Sequence, residues 1–248
     1  YTLGSYVENG RIMSSGAANL TGNSLNNTLY AGTGNNIING GTGTDTVSYA
    51  YAASAVTVKL SLTTAQATGG SGSDTLLNIE NLIGSAKNDN LTGNAGNNTL
   101  NGGTGSDYMA GGTGNDTYSI DNTGDTVYEA SGAGTDSVKS YIDTYTLGVN
   151  VENLTLYSAA VTGRGNELNN VIIGNSNDNW LVGGAGNDTI NGGTGSDSMF
   201  GQSGNDTYVV DSIGDIIFDG QGTDRINAYI SYTLPDGIEN LDLYGTAT

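Results

Sequence analysis

Aspartate recurs in this chain at the sixth place of a nine-residue unit, Gly-Gly-x-Gly-x-Asp-x-U-x with U a large apolar residue. The unit reads most cleanly at 102–110, 111–119, 183–191 and 192–200. A carboxylate held at fixed spacing after a glycine-rich turn can serve acid-base catalysis or cation binding. Catalysis asks for a polar cluster that stands apart from the repeat, and none is visible, so the chain is read as non-enzymatic. Cysteine and histidine are both absent, which removes thiolate ligands, imidazole ligands and the commonest general base. What remains is carboxylate and carbonyl oxygen, the donor set of the hard ions calcium and magnesium.

The elements that position these aspartates follow from the unit itself. Glycines at the first, second and fourth places allow backbone conformations closed to other residues, so the first six residues curl tightly with their carbonyls inward. The last three form a short strand whose apolar middle residue enters a narrow core while its neighbours face solvent. Two units turning on opposite sides close one coil of 18 residues, and coils stack at about 4.8 Å. Asp89 then meets Asp107, and Asp188 meets Asp206. Carboxylates this close repel unless a cation lies between them.

The units gather in runs at about 22–48, 84–119 and 165–209, with a lone unit at 69–77. Their apolar places are Leu29, Ile38 and Val47; Leu91, Leu100, Met109 and Tyr118; and Leu181, Ile190, Met199 and Tyr208. The two later runs superimpose at an offset of roughly 90 residues, and Thr117-Tyr118-Ser119-Ile120-Asp121 reappears as Thr207-Tyr208-Val209-Val210-Asp211. Between runs lie β-rich stretches such as 55–60 and 151–156, read as strands of longer coils. A Glu-Asn pair recurs at Glu8-Asn9, Glu80-Asn81, Glu152-Asn153 and Glu239-Asn240. Asn is expected to line a turn or stack as an amide ladder, and Glu to face solvent. The fold class is therefore all-β, a right-handed parallel β-roll and β-helix solenoid running as a single elongated region over residues 1–248. Tyr1-Thr2-Leu3 reappears as Tyr232-Thr233-Leu234, and neither Tyr1-Thr2-Leu3 nor Gly245-Thr246-Ala247 has the polar character of a cap. The chain is expected to be a piece of a longer array.

Composition agrees. Forty-one glycines and one proline make a poor recipe for helices. Asp and Glu number 25 against 6 Lys and Arg, a formal charge of -19. Such a chain repels nucleic acid and anionic lipid and attracts cations. No apolar run approaches the roughly 18 residues of a transmembrane span, and no basic-then-apolar leader is visible.

The nonapeptide resembles the calcium-binding repeat of the repeats-in-toxin (RTX) family, and the likeness covers most of the chain. That resemblance implies several calcium ions, bridging successive turns on one side of the roll. It places ligands at Asp45, Asp74, Asp89, Asp107, Asp116, Asp136, Asp188, Asp197, Asp206 and Asp224. The turn glycines of the same sites are Gly103, Gly105, Gly112, Gly114, Gly184, Gly186, Gly193, Gly195 and Gly204. Asn takes the Asp place at Asn27, Asn36, Asn98, Asn170 and Asn179, and Gln202 replaces a turn glycine. Sites using Asn98 or Asn179 are expected to be weaker, because an amide offers a neutral oxygen. Asp74, Asp136 and Asp224 stand in isolated units with no obvious nonapeptide partner 18 residues away, which predicts little binding there. The family also implies secretion from bacteria by type I export, although no distinct carboxy-terminal signal is apparent.

Rival motifs fall away. Gly-x-Gly-x-x-Gly fragments lack the strand-to-helix step of a phosphate loop, and Asp121–Asp125 lacks the glycine position and helices of an EF-hand. Asn-x-Thr triplets are by-products of the repeat. Fifteen tyrosines are read as strand formers before a carbohydrate-binding face, with Trp180 the best single candidate for an adhesive contact. Three roles are then open: a calcium-folded extracellular spacer; a self-associating surface-layer, filament or adhesin subunit; or a non-catalytic module of a secreted hydrolase, epimerase or toxin.

Overall fold

A short strand starts at the residue after almost every slot aspartate or asparagine, as in Thr99–Asn101, Tyr108–Ala110 and Thr117–Ile120. The polar slot residue ends the turn, and the threonine-rich, apolar-centred triplet after it suits a pleated, half-buried surface. The computed structural model describes residues 1–245, and it is all-β, with no helix among them. Thr246 and Ala247 of the closing triplet lie outside the described residues. Parallel strands build a β-solenoid in each of two compact units, Tyr1–Gly134 and Thr135–Thr248.

In the first unit, Asn9–Arg11, Thr28–Tyr30, Thr46–Ser48, Asn81–Ile83, Thr99–Asn101 and Thr117–Ile120 follow one another as hydrogen-bonded neighbours. The intervening strands form separate sheets. Ala18–Thr21 pairs with Asn36–Asn39, and Asn36–Asn39 with Gly72–Leu77. Thr57–Lys59, Asn90–Thr92, Tyr108–Ala110 and Thr126–Tyr128 are likewise successive parallel neighbours. The one antiparallel pair among the described strands, Gln66–Gly69 with Gly72–Leu77, belongs to the insertion that separates Asn36 from Asp74.

The second unit repeats the plan. One sheet holds Ser137–Ser140, Asn153–Leu156, Val171–Ile173, Thr189–Asn191, Thr207–Val210, Arg225–Ala228 and Asn240–Leu243. The other holds Thr144–Thr146, Thr162–Arg164, Trp180–Ala185, Ser198–Ser203 and Ile216–Phe218.

Register keeps the 18-residue coil: Leu91 lies beside Met109, Leu100 beside Tyr118, Leu181 beside Met199 and Ile190 beside Tyr208. All eleven apolar places named from the three runs are fully buried. Removing such a side chain from water is worth about 1.5–3 kcal/mol, and here these residues are stacked one per strand in a thin column.

The turns stack just as closely. Gly105 has φ +142°, and a Cβ there would lie 2.5 Å from the Lys87 carbonyl oxygen of the coil before. Glycine at this place is a requirement of both conformation and space. Gln202 breaks the pattern, taking φ +80° with a side chain.

Candidate metal centre

Each slot carboxylate faces the coil before it. Asp107 Oδ1 accepts the Asp89 N–H at 2.7 Å, and Asp206 Oδ1 accepts that of Asp188 at 2.8 Å. Asp45, Asp116, Asp188 and Asp197 do the same for Asn27, Asn98, Asn170 and Asn179, at 2.7 to 2.8 Å. The charged acceptor locks slot to slot through a strong hydrogen bond. The other oxygen is the anomaly. Oδ2 of Asp45, Asp107, Asp188, Asp197 and Asp206 is buried and receives no hydrogen bond.

These carboxyls resist ionisation accordingly. Burial pushes Asp188 up to about 7, against the help of the Asn170 N–H and with a further push from Asp206. Burial likewise raises Asp107 and Asp197 to about 6, with added repulsion from Asp125 and Asp89 on the first and from Asp215 on the second. Asp45 and Asp206 move in the same direction for the same leading reason. An unpaired buried carboxylate costs free energy until something positive meets it.

Asp89 is different. Its oxygens take the N–H groups of Val56 and Ser85 and the Ser85 hydroxyl. Of the two stacked pairs singled out from sequence, only Asp188 with Asp206 leaves an oxygen unsatisfied on both members.

Asparagine slots other than Asn36, whose Nδ2 is buried without a partner, solve the same problem without a cation. Asn179 Oδ1 accepts the Asn175 N–H at 2.7 Å, while its Nδ2 donates to the carbonyls of Ala160 and Val161 at 3.2 and 3.3 Å. Asn170 and Asn98 repeat this with Val151 and Glu152, and with Glu80. The amide nitrogen occupies itself with carbonyls of the preceding coil. A carboxylate cannot do that.

Two structural expectations need correction. Asp224 does have a stacking partner 18 residues away, since its Oδ1 accepts the Asp206 N–H at 2.7 Å. Asp74 also finds one across the insertion, accepting the Asn36 N–H at 2.8 Å, and burial raises it to about 6. Of the glutamates of the Glu-Asn pairs, Glu8 is exposed as expected, but the other three do not simply face solvent. Glu80, Glu152 and Glu239 each cap the N–H of a slot aspartate, Asp45, Asp136 and Asp224, at 2.7 to 2.8 Å. One methylene longer than Asp, they reach the slot from coils that leave the 18-residue spacing: Glu80 lies 35 residues from its partner, but Glu152 and Glu239 lie only 16 and 15, so the coil through 151–156 is shorter than expected and not longer.

Two further slot carboxylates escaped notice. Asp125 accepts from Asp107 N–H, Asp121 N–H and Asn122 N–H, and Asp215 accepts from Asp197 N–H, Asp211 N–H and Ser212 N–H. Their signal was the copied Asp-x-x-x-Asp of 121–125 and 211–215, which resembles no nonapeptide.

Elsewhere, Trp180 is 46% exposed and stacks on Phe200 at 4.4 Å, with Phe200 on Phe218 at 4.7 Å. No helix among the described residues is long and apolar enough to cross a membrane.

The donors are oxygen only, the carboxylates are buried, and several oxygens lack partners, which fits a hard cation and excludes ligation through sulfur or imidazole. Fold and site together define a cation-binding parallel β-solenoid built from repeats. The RTX calcium-binding nonapeptide repeat matches the chain in four copies, at residues 15–49, 83–118, 164–198 and 173–208. These segments are similar to that calcium-binding repeat, and the repeats imply calcium binding. No curated protein matches the chain significantly.

Proposed function

We propose that this chain is a calcium-folded extracellular spacer region of a secreted bacterial RTX protein, exported by the type I route and without catalytic activity of its own. The observation that carries this reading is the row of buried, unpartnered Oδ2 atoms at Asp45, Asp107, Asp188, Asp197 and Asp206. In a chain of formal charge -19 they oppose folding wherever free calcium is scarce. Outside the cell calcium is abundant, and the same oxygens become ligands. Bound calcium supplies positive charge and takes about six to eight oxygens. The slot aspartates provide carboxylate oxygens, their N–H locks hold coil on coil, and the glycine turns bring carbonyls close. Secretion is supported by the family, whose members are typically secreted by bacteria.

The test is far-ultraviolet circular dichroism during a calcium titration of the chelator-treated chain. Strand signal is expected to appear with calcium and far less with magnesium, which dehydrates reluctantly and demands a smaller octahedral cage. A strand-rich spectrum that persists in excess chelator, or returns equally with magnesium, would falsify the proposal.

A further inference from the structure

The Glu-Asn pair does one job at three places in this chain. Glu80 accepts the N–H of the slot aspartate Asp45, while the Asn81 N–H donates to the Asp45 carbonyl at 2.9 Å. Glu152 and Asn153 hold Asp136 in the same way, and Glu239 and Asn240 hold Asp224, the asparagine N–H lying 2.9 and 3.0 Å from the carbonyl. The pair is a clamp on both backbone groups of an aspartate in the neighbouring coil. It also sets the strand that follows that aspartate. Thr46–Ser48 lies parallel to Asn81–Ile83, Ser137–Ser140 to Asn153–Leu156 and Arg225–Ala228 to Asn240–Leu243, which brings Val47, Val138 and Ile226 beside Leu82, Leu154 and Leu241.

The fourth pair, Glu8-Asn9, holds no aspartate. Asn9–Arg11 is the edge strand of its sheet, hydrogen-bonded to Thr28–Tyr30 on one side only. Glu8 and Asn9 are exposed, and neither side chain has a hydrogen-bond partner among the described residues. The residue before each pair records the difference, since Ile79, Val151 and Ile238 are buried whereas Val7 is 41% exposed. The opposite side of the same coil is covered, because residues 1–3 run along Thr21 through two backbone hydrogen bonds.

Beside the open strand is a hollow of about 460 Å³, lined by Leu3, Val7, Gly10, Ile12, Met13 and Leu20 among others. Gly10 stands at the strand place that Leu82, Leu154 and Leu241 take in the other three coils. It has no side chain to fill the space.

We infer that residues 8–12 are a docking site for a strand of a separate polypeptide that opens on aspartate and carries Val or Ile two residues on, paired in parallel as 136–140 pairs with 152–156. An edge strand offers its unpaired N–H and C=O groups to such a partner. The Glu8 carboxylate accepts the aspartate N–H, the Asn9 N–H meets the aspartate carbonyl, and the Val or Ile enters the hollow beside Gly10. Three arrangements of this kind within the chain define the chemistry of the occupant. The inference rests on the register of the coils and is independent of the calcium reading.

The probe is a synthetic nonapeptide with the sequence of residues 134–142, Gly-Thr-Asp-Ser-Val-Lys-Ser-Tyr-Ile, titrated into the isotope-labelled full chain in saturating calcium and followed by NMR. Saturable shifts are expected at Leu3, residues 7–13 and Leu20. Methylating the peptide's aspartate nitrogen removes the donor, and Glu8→Ala removes its acceptor. Each change is expected to weaken binding about tenfold, and the two together by no more than either alone. Glu8 is exposed, so the variant keeps its fold, which unchanged shifts elsewhere in the chain verify. No saturation at millimolar peptide, equal binding of a scrambled peptide, or losses that simply add would overturn the docking site. Concentration-dependent broadening at the same residues without peptide overturns it too, because it gives the surface to a second copy of the chain. A chain that stays folded in chelator refutes the calcium reading alone, and the titration is then run there with the same outcomes.

Discussion

Asp188→Asn should change the stability of this solenoid in opposite directions with and without calcium. In the metal-free chain, Asp188 Oδ1 holds the Asn170 N–H at 2.8 Å while Oδ2 is buried and unpartnered. The asparagine slots show what an amide does instead: Asn179 reaches the carbonyls of the residues 19 and 18 places earlier. By that geometry the new amide meets the carbonyls of Asn169 and Asn170. Relieving a buried unsatisfied group is worth about 1–3 kcal/mol. At about 2 kcal/mol, the melting temperature of a chain this long rises roughly 4–8 °C. With calcium the sign reverses. A site occupied at about a hundred times its dissociation constant contributes about 2.7 kcal/mol, and the variant loses most of it. Thermal melts followed by circular dichroism, in chelator plus trimethylamine oxide to populate the folded metal-free state, and then in millimolar calcium, read both arms. Asn179→Ala is the control: it removes a neutral group already bonded to carbonyls, so its loss of calcium affinity should be smaller. A variant less stable than wild type in both conditions, or equal calcium losses for the two substitutions, would refute the slot assignment.

Acid should partly replace calcium. Asp188 stands at about 7 and Asp107 and Asp197 at about 6, all raised from 3.8. The folded state therefore holds protons more tightly than the unfolded state. The stability these groups contribute is full below their ordinary value and is lost as pH rises through 6 to 7, so urea unfolding in chelator should show a more stable chain at about pH 5 than at about pH 8. The opposite order would contradict the burial seen at these carboxyls. Gly105→Ala should cost about 1–3 kcal/mol whether or not calcium is present, because its φ of +142° and the Lys87 carbonyl at 2.5 Å are properties of the turn. A urea midpoint unchanged in calcium would show that the turns do not stack this closely.

Much of the fold was legible because the repeat writes its geometry twice, once in spacing and once in residue type. An apolar residue two places before each new unit has one place to go in a coil this thin, and Leu100, Met109 and Tyr118 lie fully buried as their spacing requires. Eighteen-residue stacking followed from two units per coil, and the Asp89 to Asp107 and Asp188 to Asp206 hydrogen bonds obey it. The insertion between Asn36 and Asp74 was harder. A motif search measures distance along the chain, whereas the slot is a place in space, and an excursion of any length can return to it. Asp74 reaches Asn36 across 38 residues for that reason. Glu80 occupies a slot from a stretch that carries no nonapeptide, just after the lone unit at 69–77.

Asp219 was hidden by the same regularity that made the rest readable. Measured against the repeat, aspartate at the first place is only a failed glycine, and the turn it opens looks like a decayed copy. Glycine is needed there where the unit's own carboxylate lies against it, as Asp206 Oδ2 lies against Gly201. Where the chain puts a carboxylate in that position, it does not relieve the crowding of charge but adds to it, and burial first, then Asp224, push the Asp219 carboxyl up to about 7. Asp219 therefore shares the slot of Asp206 and Asp224, one carboxylate oxygen of each lying within 4.8 Å of the others. The residue that breaks the repeat is thus the same one that brings a further carboxylate to the slot, and only the neighbours supplied by the coil reveal it.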